Sequence, residues 1–402
     1  MSSLLGIPAI LFMAWLLSTD RKNIPFRMVT TALAIQVVFA LLVLYVPAGK
    51  AALDAVTRGV SSVVSYGQQG INFLFGGIAE GNVGFVFAVN VLGIIIFFSA
   101  LISALYHLGI MPRVISIIGG GLQRFLGTGK AESMSATANI FVGMTEAPLV
   151  IKPYLKTMSD SQLFAVMSCG LASVAGGPLV GYAAMGIDLK YLIAAAFMSA
   201  PAGLLMAKII VPPSAEDAHS SAEQDVEMPV ATNVIEAIAD GAIAGMRLVA
   251  VIGATLLAFI GVIALVNGLL ASLGDLVGLS LSLEKIFGML FAPIAFLIGI
   301  PWNEAATAGS LLGNKLVMNE FVAFVQFLNV KDQLSEHSQA IVTFALCGFA
   351  NISSLALLVG SMGTLAPERR SFVSRLGLRA IAAGVLANLM SAAIVGIILS
   401  FI

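Results

Sequence analysis

Charge is what this sequence has least of. Only 10% of its 402 residues are Asp, Glu, Lys or Arg, against about 25% in ordinary soluble domains. Polar cover for a water-soluble globule of this length is missing, and a mean hydropathy of +1.02 assigns the chain to lipid. A net charge of −1 presents no basic face to the phosphates of a nucleic acid, so nucleic-acid binding is excluded. The two cysteines, Cys169 and Cys347, sit in apolar segments without metal-ligand spacing; they read as small buried hydrophobes, not as a disulfide or zinc site. The three histidines, His107, His219 and His337, fall at a span end, in a polar linker and in a loop, and none is placed as an intramembrane proton relay. His-Glu-x-x-His and Gly-x-Ser-x-Gly are absent. Gly127-Thr128-Gly129-Lys130 fails as a phosphate loop, because Arg124 stands where Gly is required and Ala131 follows the lysine. No enzyme or ATP-driven pump is indicated.

What is present is a series of long apolar runs, which point to helical spans and not to the ten-residue alternating strands of a barrel. Eight candidate crossings are residues 4–17, 29–46, 83–108, 163–185, 191–211, 247–270, 340–360 and 378–401. The first has its positive charges, Arg21, Lys22 and Arg27, after it, the reverse of a signal peptide, and reads as a retained helix with its N-terminus outside. Fourteen basic residues then fall inside and only Lys50, Arg58, Lys190, Lys285, Lys315 and Lys331 outside, as the positive-inside rule requires. Both termini face outward on this topology. Residues 51–65 read as an interfacial helix or a plain loop, and the acidic, small-residue stretch after Pro212 as a disordered inside linker.

Two further apolar stretches, 135–142 and 286–300, are too short to cross. The longer would reach only about 22 Å as a helix, against a hydrocarbon core of about 30 Å. Each ends in helix-breaking or polar residues, Gly143-Met144-Thr145-Glu146-Ala147-Pro148 and Gly299-Ile300-Pro301-Trp302-Asn303-Glu304-Ala305, as a re-entrant hairpin does. Open backbone at membrane depth must be buried in protein or line a wet cavity. The sequence after each hairpin also matches: Cys169-Gly170-Leu171-Ala172-Ser173-Val174-Ala175 parallels Cys347-Gly348-Phe349-Ala350-Asn351-Ile352-Ser353. The order hairpin, small-polar helix, plain helix thus recurs at about 134–211 and 284–402, separated by one crossing, so the copies are inverted. Inverted repeats with discontinuous helices point to a secondary transporter with its substrate at the midplane. Gly170–Pro178 is expected to unwind, and Ser353-Ser354 to loosen the second helix; close helix packing is the bland alternative.

The fold class is therefore an all-α polytopic membrane protein of eight transmembrane helices and two re-entrant hairpins. Its expected organisation is a scaffold over 1–110, a first repeat over 111–211, a linker over 212–240, a scaffold helix over 241–275 and a second repeat over 276–402. Glu146 and Glu304 at the tips require compensation, since an ionised carboxylate at mid-bilayer costs about 2.5–3.5 kcal/mol. Helix capping competes with ligand contact as the explanation. Asn139, Thr145, Ser173, Asn303, Asn351, Ser353 and Ser354 supply neutral donors and acceptors nearby, with no Arg or Lys at motif distance. Such a site suits a neutral polyhydroxylated solute, and its oxygens suit Na⁺. Proton coupling through the glutamates is the nearest rival reading, a polar-solute channel a more distant one.

The Gly143–Pro148 motif, the Pro301–Ala305 tip and Phe349-Ala350-Asn351-Ile352-Ser353-Ser354 together resemble the concentrative nucleoside transporter family, in its bacterial sodium-coupled form. The resemblance covers essentially the whole chain. It implies a homotrimer in the bacterial inner membrane that imports nucleosides such as uridine, cytidine and adenosine with sodium, by an elevator-like movement and without a cofactor. It places base contacts on Met144, Thr145 and Glu146, with Gly143 among the substrate-binding residues, and ribose contacts on Glu304, Asn351 and Ser354. Phe349 would lie between nucleoside and ion, and sodium would rest on Asn139, Val142, Ser173 and Val174. Many relatives carry Gln where this chain has Met144, which implies broad base recognition.

Overall fold

The computed structural model describes residues 2–79, 86–214, 232–276 and 278–401. Most of the expected acidic linker, residues 215–231, and the start of the third expected crossing lie outside the described residues. Among the described residues the regular structure is helical throughout. An opening group comprises α1 (Ser2–Leu16), α2 (Phe26–Leu44), α3 (Pro47–Phe75), α4 (Phe87–Asn90) and α5 (Leu92–His107). Next come α6 (Ile110–Leu126), α7 (Lys130–Ala138), a 3₁₀ segment (Ala147–Tyr154), α8 (Asp160–Ala172), α9 (Gly176–Ala184) and α10 (Leu189–Ile210). The single helix α11 (Val234–Leu276) precedes α12 (Leu283–Leu297), α13 (Trp302–Val317), α14 (Glu320–Val330), α15 (Glu336–Leu346), α16 (Ile352–Leu365) and α17 (Arg370–Leu399).

Among the described residues six helical segments are long and apolar enough to cross a bilayer, while α1 and α16 are shorter. The expected span at 340–360 is two helices, α15 and α16, and the expected loop-or-helix at 51–65 is the long helix α3. Pro47 starts α3 at a position where its missing N–H costs nothing. Residues 234–240, expected in the linker, are instead the first turns of α11. The Asn233 side chain accepts from the Ile235 and Glu236 N–H groups there and so caps the helix early.

Packing separates a core from a periphery. The whole apolar window of 160–184 is buried, against 17% of that of α11. The outer helix is seated on α5 by Gly241 and Gly245. A Cβ at these positions would lie 2.5 Å from the Ser103 side chain and 2.9 Å from the Ile96 backbone. This is the close approach that a Gly-x-x-x-Gly pattern permits between helices in lipid.

The repeat is longer than the sequence suggested. In both copies a first arm (α6, α12) ends at a left-handed glycine, Gly127 with φ +67° and Gly299 with φ +110°. A second arm (α7, α13), a tip, a third segment, a broken helix and an unbroken helix follow in the same order. The two broken helices run in opposite directions. Arg369, just before α17, donates to Asp160 Oδ1 at 2.8 Å and so ties the start of α8–α9 to the end of α15–α16.

Candidate functional site

The breaks occur where small residues interrupt an apolar helix, and they meet at the centre of the bundle. α8 stops at Ala172 and α9 restarts at Gly176, leaving Ser173-Val174-Ala175 extended. α15 stops at Leu346 and α16 restarts at Ile352. The second gap is therefore Cys347–Asn351, one turn before the expected Ser353-Ser354. Those serines lie in the first turn of α16, because the Asn351 side chain caps it by accepting from Ser354 N at 2.8 Å. The gaps touch: Phe349 N–H donates to Ser173 O at 3.1 Å. Cut helix ends expose carbonyls that lipid cannot satisfy. Here Asn388 of α17 takes two, donating to Ala172 O at 2.7 Å and Cys347 O at 3.0 Å, and Lys315 takes a third, Ala345 O, at 2.7 Å.

The first tip packs against the first break. Asn139 is 1% exposed; its amide donates to Ser135 O, while its Oδ1 has no hydrogen-bond partner. That oxygen lies 3.7 Å from where a Cβ on Gly170 would stand, and the Met144 Cβ lies 3.0 Å from the same point. Phe141 O accepts from Gly176 N on the far side of the gap. Val174 and Ser173 are buried, and Val142 and Thr145 half-buried. Glu146 is exposed at the tip, and its Oε2 lies 2.4 Å from where a Cβ on Gly143 would stand. Gly143 is thus the residue that leaves room for the carboxylate. The 3₁₀ segment after Glu146 packs on α16. An unpartnered buried oxygen beside an extended backbone segment is a donor set suited to a desolvated cation such as Na⁺.

α12 and α13 bend by 115° at the expected second tip, but a further turn follows at the other end of α13. Asn314 and Gln326 hydrogen-bond across α13 and α14, so these helices form a hairpin whose turn is Met318-Asn319. Asn319 caps α14, and Glu320 begins it, 4% exposed. Glu320 accepts from Tyr182 Oη at 3.1 Å and from Asn351 Nδ2 at 2.9 Å. Glu304 is instead in the first turn of α13, about 20 Å from the far end of that helix. It accepts from the Ser335 N–H and hydroxyl at the start of α15. Its counterpart in the first repeat is Glu132, since each lies five residues after a left-handed glycine in the first turn of the next arm. Glu132 likewise accepts from Gly129 N at 2.7 Å, and it pairs with Lys208 at 2.6 Å.

The structure therefore brings Asn139, Met144, Ser173, Val174, Phe349, Asn351 and Ser354 to one crossing, with Glu320 in place of Glu304. Lys315, expected in an outer loop, is 3% exposed at that crossing, so a fixed cation does stand beside the second break. The signal for Glu320 is the polar pair Asn319-Glu320 inside the apolar run Leu316–Phe324. A cavity of about 870 Å³ is lined by Arg27, Arg124 and Gly127–Lys130 at the far end of α7. The Glu132 carboxylate occupies the start of α7 there.

An apolar helical bundle with two antiparallel broken helices crossing at its centre, lined by carboxylate, amide and hydroxyl groups, defines a membrane-embedded transporter of polar solutes. Residues 5–78 and 191–396 match the N-terminal and C-terminal parts of the Na⁺ dependent nucleoside transporter family, and residues 88–188 match a Gate family described as nucleoside recognition. The chain is 52% identical over 407 residues to nucleoside permease NupC of Helicobacter pylori, covering 98% of this chain and 97% of that protein. It is 37% identical over 414 residues to sodium/nucleoside cotransporter 1 of Homo sapiens, covering 98% of this chain and 63% of that longer protein. A structure of CNTnw in an inward-facing substrate-bound state matches with a TM-score of 0.94 at 50% identity, covering 100% of this chain and 98% of that one. The chain belongs to the Na⁺-dependent, concentrative nucleoside transporter family. These relatives are transporters and permeases, not enzymes.

Proposed function

We propose that this protein is a sodium-coupled symporter that carries nucleosides such as uridine, cytidine and adenosine into a bacterial cell across the cytoplasmic membrane. Gly143, Met144, Thr145 and Glu146 face the base, and Glu320, Asn351 and Ser354 hold the ribose hydroxyls. Sodium rests on Asn139, Val142, Ser173 and Val174, with Phe349 between the two guests. Residues 111–211 and 276–402 move together, elevator-fashion, against a scaffold of 1–110 and 241–275, in a homotrimer whose chain termini face outward.

The observation that carries this reading is the unpartnered Asn139 Oδ1 beside a gap that is hydrogen-bonded to the gap bearing Asn351. Ion and nucleoside then order one shared piece of backbone, and ordering by either guest lowers the cost for the other. Glu320 supplies a carboxylate that accepts from ribose hydroxyls, which neutral amides alone do less strongly.

Radiolabelled uridine uptake into proteoliposomes, with sodium and pH gradients imposed separately, tests it. Uptake driven by the sodium gradient at equal pH is expected. Uptake driven by the pH gradient alone would replace sodium by the proton, and equilibration without accumulation would indicate a channel.

A further inference from the structure

We propose that Asn388, oriented by Lys315, is the positioning residue that couples sodium binding to nucleoside binding. The inference rests on the function proposed above and adds to it a residue that touches neither guest.

Asn388 lies on the unbroken helix α17, 3% exposed, and both donors of its amide are used across the crossing. One reaches Ala172 O, the last carbonyl before the Ser173-Val174 gap; the other reaches Cys347 O, two residues before Phe349. The same side chain thus holds the backbone of both breaks. Which way the amide points is decided by Lys315, whose Nζ donates to Asn388 Oδ1 at 2.7 Å. An ammonium has donors only, so the oxygen must face it and the NH₂ must face the carbonyls. Among the described residues Lys315 has no carboxylate within ion-pair distance; its two named partners are Asn388 and Ala345 O. The fit has no slack, because a Cβ on Gly348 would stand 2.2 Å from Asn388 Oδ1 and 2.7 Å from Ala172 O.

A rigid three-way bridge of this kind converts a displacement of one cut helix end into a displacement of the other. When sodium orders Ser173 and Val174, Ala172 O is fixed and so is the amide that also sets Cys347. The Phe349-to-Ser173 hydrogen bond then closes on a settled partner, and Asn351 is delivered to the nucleoside in register. Coupling between two ligands is a reciprocal free energy, so the effect is read from binding with and without the other guest.

The experiment is uridine binding to purified protein in sodium-free and sodium-saturated buffer, with sodium binding measured in the absence of nucleoside. In the unaltered protein sodium is expected to tighten uridine about tenfold or more, within the usual range of such couplings. In Asn388→Ser and in Lys315→Met that factor is expected to fall to about one, while sodium affinity alone stays within about threefold. A merely structural residue would lower both affinities together and leave the ratio intact. Hydrogen exchange on the unaltered protein gives a second readout should the variants not fold: sodium alone is expected to protect Cys347–Asn351 as well as Ser173–Ala175. The proposal is overturned by a folded Asn388→Ser that keeps the full coupling factor, or by sodium protection confined to the first break. Absence of any sodium effect on uridine in the unaltered protein is a different failure, since it removes the proposed function itself.

Discussion

The two repeats share one order of elements but satisfy their buried polar groups differently. In the second, Glu320 is held by Tyr182 and Asn351, and the cut end of α15 is held by an ammonium belonging to the chain. In the first, Asn139 Oδ1, Ser135 Oγ and Ser168 Oγ are buried without partners, against Asn314 Oδ1 in the second, and the tip passes through irregular backbone, with a kink at Ile151, before α8 begins. Buried polar groups are costly when unpaired. A break whose cut end is held by the chain's own ammonium needs no ion there, whereas a break with a spare oxygen beside it can be completed by one. On the proposed function this asymmetry places the ion beside the first break and leaves the second with a hydrogen-bonded surface for the ribose.

The largest effect that would break this comparison is a reversal of the roles given to Glu304 and Glu320. Glu320→Gln is expected to reduce uridine uptake about 10- to 100-fold, the consequence of weakening hydrogen bonds to a charged acceptor worth about 1.5–3 kcal/mol. Glu304→Gln is expected to stay within about threefold, since its carboxylate only caps α15 beside Ser335. Initial uptake rates, normalised to the folded fraction from size-exclusion chromatography, decide the matter. Loss of uptake in Glu304→Gln with survival in Glu320→Gln would return the site to the other end of α13.

That reversal also shows what was legible in the sequence. The apolar composition, the two interruptions and the match of Cys169–Ala175 with Cys347–Ser353 depend on local residue type, and local type is what a sequence displays. The first tip was legible because Gly and Pro flank its acid. The second was misplaced because Pro301, Asn303 and Glu304 have the same local character at a turn of a different kind. Lys315 falls on the outer side when the basic residues are sorted by the expected crossings. Its burial becomes reasonable only when Asn388, 73 residues on, supplies an acceptor, and contacts at that separation leave no local trace. The counterpart of Glu304 is Glu132, which the seven-residue match could not show because it begins after both tips.

The glycine turns that open the two hairpins sharpen the comparison at the level of stability. Gly299 has φ +110°, and a Cβ there would lie 2.2 Å from Ser3 Oγ, whereas Gly127 has φ +67° with open space around it. Gly127→Ala pays only for left-handed backbone, about 1–2 kcal/mol. Gly299→Ala adds a clash to a conformation nearly confined to glycine and is expected to cost about 2–3 kcal/mol. Thermal unfolding in detergent should therefore show a lower Tm for Gly299→Ala than for Gly127→Ala, and equal shifts would mean that the two turns are not under different constraint. At the proposed ion site, Asn139→Ala removes the unpartnered oxygen. It is expected to raise the sodium concentration for half-maximal uptake about tenfold, the value of about 1.4 kcal/mol, with uridine KM at saturating sodium within about threefold. An unchanged sodium dependence would take Asn139 out of the ion site.

The smallest expected effect tests what the first tip does for the base. Met144 is 5% exposed and its Cβ rests against Gly170, so the side chain is anchored at its root while its flexible thioether can adapt to different ring faces. A thioether accepts hydrogen bonds weakly and donates none, whereas a carboxamide does both. Met144→Gln introduces that polar edge at nearly the same volume, and a single neutral hydrogen bond is worth about 0.5–1.5 kcal/mol. The ratio of kcat/KM for uridine over adenosine is therefore expected to shift about two- to tenfold, with sodium dependence unaltered because Asn139 and Ser173 are untouched. Competition of each nucleoside against labelled uridine measures the ratio. If it stays constant while Glu320→Gln abolishes uptake, base recognition belongs to Thr145 and Glu146, and Met144 serves only to pack the first tip on its break.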